Sequence, residues 1–226
     1  MKSSTSVVLL TAASLALAQD DYGWQFSNAL STGPTASGSF IREANTTLVL
    51  PATNNPQEGN LALWAGLGTD GNNLIQALAI SLAGGTAGCV PAAGQWCIVA
   101  STLQDTQQTG TAVPASAGSK MTMHYKYNDS TLKYDQTVSL NGAVVSRLST
   151  TSGKALGWGT AVECQSSACG TAPAHKYIDT KLVMDKADPN YVRTKGTTGA
   201  KGNMVTADGG KTWTIAEIAI EAHTYT

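Results

Sequence analysis

Between residues 61 and 82 the chain reads LALWAGLGTDGNNLIQALAISL, and one polar side chain, Gln76, interrupts the second of its two apolar runs. Residues 61–67 and 74–82 are each of strand length, and Gly68, Asp70, Gly71, Asn72 and Asn73 between them are turn formers, so the stretch predicts a hairpin. A strand that is apolar on both faces is buried between layers, where an amide must find hydrogen bonds or cost about 1–3 kcal/mol. Gln76 is therefore either bonded to neighbouring backbone or lines a cleft. A second polar group, Glu163, closes an apolar run at 156–163, directly before Cys164. It is either a solvated strand-end carboxylate or an acid–base group, since a carboxylate can move protons and an amide can donate to developing negative charge. The remaining titratable groups assemble nothing by spacing: His124, His175 and His223 are scattered, and His124 falls on the polar side of an alternating segment.

These two stretches must be positioned by β structure. Thr, Ser, Val and Gly are abundant, 13% of residues are charged, and nothing beyond residue 18 combines a 3.6-residue period with helix-forming composition. Residues 120–127 alternate, with Met121, Met123, Tyr125 and Tyr127 set against Thr122, His124 and Lys126, as a half-buried antiparallel strand does. Asn141-Gly142, between runs at 132–140 and 143–148, supplies both positive-φ positions of a type I′ turn. Further strands are expected at 24–28, 37–43, 46–50, 95–100, 177–185 and 214–221, with 104–118 a loop or weak edge. The tract around Asp208-Gly209-Gly210 resembles a single Asp-box; without repeats it reads as a hairpin with a locally bonded aspartate. Many short strands joined by hairpin turns predict an all-β, two-sheet antiparallel β-sandwich.

Residues 1–18 carry one lysine, an apolar run from Val7 and the ending Ala16-Leu17-Ala18, the pattern of a secretory signal peptide. Residues 19–226 are then one β-sandwich domain of a secreted, extracellular protein, expected to be monomeric. No later stretch is long and apolar enough to span a bilayer as a helix, and a formal charge of −1 points to neither nucleic acid nor an anionic membrane as partner. In an oxidising compartment the four cysteines are expected as two local disulfides; of three connectivities, Cys89–Cys97 and Cys164–Cys169 join the nearest pairs. Their spacing and the scattered histidines do not make a zinc site, so no metal and no cofactor is expected. Asn45-Thr46-Thr47 and Asn128-Asp129-Ser130 are glycosylation acceptors that should face solvent.

Trp64-Ala65-Gly66-Leu67, the Asp/Gly turn and Leu74-Ile75-Gln76-Ala77 together resemble the tryptophan-glycine turn and Ile-Leu-Gln segment of the glutamic peptidases, the eqolisins of filamentous fungi. Trp158-Gly159-Thr160-Ala161-Val162-Glu163 resembles the strand that supplies their catalytic glutamate, and Trp24 and Leu50-Pro51 fill the places of a tryptophan near the mature N-terminus and a Val-Pro strand end. The resemblance implies a jelly-roll, concanavalin A-like sandwich and a secreted acid endopeptidase acting on polypeptide. Glu163 would be the general base on water and then the acid to the leaving amine, with Gln76 beside it on a neighbouring strand donating to the oxyanion. Trp64, Trp24, Trp96 and Trp158 would line the groove. The chain departs from the family at Gln95-Trp96-Cys97-Ile98-Val99, where the strand after the glutamine carries no acid. Two other functions fit the same fold: a carbohydrate-active sandwich, whether a polysaccharide lyase drawing on His124, Tyr125, Tyr127 and Arg147 or a glycan binder, and a non-catalytic secreted homologue.

Overall fold

A computed structural model describes residues 24–86 and 88–225; residues 1–18, read above as a signal peptide, lie outside them. Eighteen strands follow in order. The first eight are β1 (Gln25–Phe26), β2 (Ala29–Thr32), β3 (Ile41–Val49), β4 (Asn60–Thr69), β5 (Leu74–Leu82), β6 (Gln95–Leu103), β7 (Gln107–Thr109) and β8 (Val113–Ser116). There follow β9 (Lys120–Asn128), β10 (Lys133–Leu140), β11 (Ala143–Thr150), β12 (Ala155–Cys164), β13 (Gly170–Ala172) and β14 (His175–Met184). The last are β15 (Gly196–Thr198), β16 (Ala200–Val205), β17 (Thr212–Ile220) and β18 (His223–Tyr225). One 3-10 turn at Tyr191–Thr194 is the only helical element among the described residues.

Sixteen strands form two antiparallel layers packed face to face in a jelly-roll β-sandwich, and β13 and β18 pair as a separate two-stranded sheet. One sheet runs β16-β17-β14-β3-β9-β10-β11. The other runs β15-β2-β12-β4-β5-β6, with β7 and β8 on the far edge of β6 and β1 next to β2 along β12. They join at one corner, where Ala155 of β12 pairs with Ile41 of β3.

Local chemistry accounts for most of these elements. Met121, Met123 and Tyr125 of β9 are buried in the space between the sheets, as their alternation requires. Asn141 and Gly142 adopt φ of 51° and 90°, the two-residue turn that fixes the β10–β11 register. Asp208 Oδ1 accepts from Thr212 N (2.8 Å) and Thr206 Oγ1 (2.9 Å), so the Asp-box tract is a locally bonded hairpin entry. Both short disulfides form as expected, Cys89–Cys97 and Cys164–Cys169.

Several boundaries differ from the sequence reading. The strands expected at 37–43 and 46–50 are one strand, β3, because Ile41, Ala44 and Leu48 keep an inward face across the polar Glu43 and Asn45. The expected 24–28 strand is the shorter β1, β2 at Ala29–Thr32 follows it as a strand the sequence reading did not give, and the polar 104–118 segment contributes β7 and β8 to the edge of β6. Residues 196–205 form β15 and β16, which their Gly, Thr and Lys content hid.

The main core fills the space between the sheets, from Leu48, Met123 and Tyr177 on one side to Leu63, Ile75, Trp96 and Trp158 on the other. A second, smaller cluster of Ala62, Trp64, Leu78, Val99 and Ala161 lies on the opposite, outer face of β12-β4-β5-β6. The two apolar faces of this sheet explain why neither run of the central hairpin alternates.

Candidate functional site

The outer face of β12-β4-β5-β6 holds both polar groups singled out by sequence. Register places Gln76 of β5 opposite Gly66 of β4, and Gly66 opposite Gly159 of β12. Glu163 of β12 is opposite Ala62, which pairs with Ile80. Directly paired residues share a face, so Gln76, Trp64 and Glu163 all project to the outer side.

They are not side by side. The expectation of neighbouring strands is corrected here: β4 separates β5 from β12, and the anchoring positions Gly66 and Ala62 are four residues apart. At about 3.3 Å per residue and about 4.8 Å per strand, the two backbones are offset by roughly 13 Å along the strands and 10 Å across them. The two side chains therefore rise from different rows of the face. The residue that shares a row with Gln76 on β12 is Gly159, which has no side chain. A Cβ at 159 would meet Leu30 O at 3.0 Å and one at Gly66 would meet Ile75 O at 2.5 Å, so the backbone in this row is closely packed.

Each polar group has its own surroundings. Glu163 is 5% exposed, and its carboxylate accepts from Trp64 Nε1 and Gln165 Nε2, both at 2.7 Å. Burial raises its pKa above the ordinary carboxylate value, opposed by those two donors. Gln165 Oε1 in turn accepts from Asn60 Nδ2 (2.7 Å), which makes a chain Asn60, Gln165, Glu163, Trp64 along the outer face. Gln76 is also 5% exposed, and its Oε1 has no partner among the described residues; neither has Asn60 Oδ1.

Behind this face the opposite sheet braces the backbone. Tyr177 Oη donates to Trp64 O (3.0 Å) and Tyr125 Oη to Ala65 O (2.6 Å). Gln136, fully enclosed, presents Nε2 to Ser101 O (3.0 Å) and Gln76 O (3.2 Å), while Thr102 Oγ1 donates to its Oε1 (2.6 Å). Polar groups from β9, β10 and β14 thus satisfy carbonyls of β4, β5 and β6 that lie directly under the outer cluster.

The tryptophans divide. Trp64 is in the outer cluster, but Trp96 and Trp158 are corrected from groove to core: each is fully buried on the inner face, with Trp96 Nε1 donating to Pro51 O (2.9 Å). Paired positions explain this, since Trp158 faces Leu67 and Trp96 faces Ala115. Trp24 is half-buried just ahead of β1. Asn128 is at the β9–β10 turn, its Oδ1 accepting from Ser130 N and Thr131 N. Asn45 is half-buried within β3, an interior strand, and donates to Asp179 O (3.5 Å) instead of standing on a free loop.

The lyase set does not converge. Tyr125 points into the core, while its neighbour His124 is on the other side of β9 with Nε2 2.7 Å from Glu43 Oε1. Among the described residues no group of three His, Cys, Asp or Glu side chains is placed to hold a metal ion. Sequence reasoning missed Asn60, Gln165 and the row glycines Gly66 and Gly159. Gln165 lies beyond the strand and inside the Cys164–Cys169 loop, where a single polar residue stands out from nothing around it.

No family model and no curated protein matches the chain. Among solved structures it is similar to scytalido-glutamic peptidase with a peptide-based transition state analogue, at 12% identity and a TM-score of 0.52, covering 84% of this chain and 97% of that one. A second structure of that peptidase, with a transition state analogue inhibitor, gives 14% identity and a TM-score of 0.53 over the same shares. The likeness is one of fold. It bears out the jelly-roll sandwich that the sequence resemblance implied.

Proposed function

We propose that this protein is an exported, monomeric β-sandwich of the glutamic-peptidase type that binds extended polypeptide on the outer face of β12-β4-β5-β6 and does not cleave it by a Glu/Gln water mechanism. One observation carries the reading: Gln76 shares its row with Gly159, not with Glu163. The fold match, to a peptidase solved with a peptide-based analogue, supports polypeptide as the ligand class. The apolar cluster around Trp64, rimmed by the partly exposed Phe26, Leu74, Ile80 and Ala112, supports the location.

The test is digestion of a denatured protein substrate from acid to neutral pH by the purified mature protein, beside Glu163→Gln and Gln76→Ala, with binding of the same substrate followed by calorimetric titration. Binding without cleavage at any pH is expected. Acid-optimal cleavage lost in both variants would reinstate the two-residue peptidase and end this proposal; cleavage lost in Glu163→Gln alone would make Glu163 a lone acid–base group, with the same consequence.

A further inference from the structure

Among the described residues, the outer face presents acceptors with no cation paired to them. None of the ion pairs among the described residues includes Glu163, whose carboxylate has only two neutral N–H donors. On the paired outer positions from Gly157 to Glu163, Asn60 to Gly68, Leu74 to Leu82 and Val99 to Leu103, it is the sole charged side chain. A carboxylate taken out of water without a cation is costly, and such a group marks a candidate functional site. Two more acceptors without partners, Asn60 Oδ1 and Gln76 Oε1, flank it on the same face, the second on a side chain more than nine-tenths buried. The strip from Asn60 to Gly66 is six residues of β4, about 20 Å, the length of an extended segment of roughly six residues.

We infer that the groove selects a basic polypeptide segment, with a guanidinium or ammonium group seated on the Glu163 carboxylate and backbone or side-chain N–H groups donating to Asn60 Oδ1 and Gln76 Oε1. This rests on the proposed polypeptide binding and adds its specificity. The ligand is a donor and a cation because the site holds the matching acceptors and anion, and an acidic or wholly apolar segment leaves all three unmet.

Calorimetric titration with two capped pentapeptides, Gly-Gly-Arg-Gly-Gly and its counterpart with neutral citrulline replacing arginine, reads the inference directly. At neutral pH the arginine peptide is expected to bind about tenfold more tightly, the worth of a charge-assisted hydrogen bond. The preference disappears in Glu163→Gln, while Gln76→Ala weakens both peptides alike. Equal binding of the two peptides by the unmodified protein overturns the inference and leaves polypeptide binding standing. A preference that survives Glu163→Gln, with the variant's circular dichroism unchanged, also overturns it by removing the carboxylate from the recognition. Absence of binding by either peptide, with denatured protein also unbound, removes the proposed function and this inference together.

Discussion

The two faces of β12-β4-β5-β6 are built from the same kinds of residue and do different things. The inner face, with Leu63, Leu67, Ile75, Trp96 and Trp158, meets a second sheet and becomes the main core. The outer face, with Ala62, Trp64, Leu78, Val99 and Ala161, meets no second sheet among the described residues and carries the buried carboxylate and amide. Several polar groups behind the inner face find partners across the sandwich, as Gln136, Tyr125 and Tyr177 do, although Trp158 Nε1 on that face has none among the described residues. On the outer face the two groups without a partner among the described residues are acceptors, Asn60 Oδ1 and Gln76 Oε1. Apolarity on both sides of a strand thus has two causes here, packing against a second sheet on one side and, in the proposed function, a ligand on the other.

The inner face should therefore dominate stability. Trp158 is fully buried there, and Trp158→Ala is expected to cost about 3–5 kcal/mol in denaturant unfolding, the range for deleting a large core aromatic. A loss below about 1 kcal/mol would mean that this face is not the core that holds the sheets together.

That outcome bears on what the sequence disclosed. The hairpin around residues 68–73, the Asn141-Gly142 turn, the alternation of β9, both disulfides and the sandwich itself follow from local pattern. Which face of β4, β5 and β12 is the core does not, because Trp64 and Trp158 occupy equally apolar contexts and only strand register separates them. Register also decides the site: a displacement of four residues along β4 turns an expected catalytic pair into two separate groups, and no single-strand pattern encodes it.

A base in the core and an acid on the outer face should give stability opposite dependences on pH. His175 donates Nδ1–H to Pro173 O (2.9 Å), its Nε2 has no partner among the described residues, and burial pushes the imidazole down from 6.5 to about 4. The unfolded chain then binds the proton more readily, so this contribution is complete above pH 6.5 and is lost as pH falls towards 4, about 3 kcal/mol in all. Unfolding free energies between pH 4 and 7 check it: His175→Leu should flatten that stretch, and an unchanged slope would remove the imidazole as its source.

Glu163 should act with the other sign. Its folded-state pKa is raised above 4.5, so the folded chain binds the proton more readily than the unfolded one. Its contribution is complete below pH 4.5 and is lost as pH rises through the raised value, which leaves the protein less stable at neutral pH than a neutral side chain would. Glu163→Gln removes that slope and, because no cation loses a partner, is expected to leave neutral-pH stability equal or higher by up to about 1 kcal/mol. A deletion that cost about 3 kcal/mol or more at neutral pH would resemble the breaking of a compensated buried pair. Glu163 would then belong with the structural groups of the inner face, and the outer face would lose the open anion on which its selectivity for a basic ligand depends.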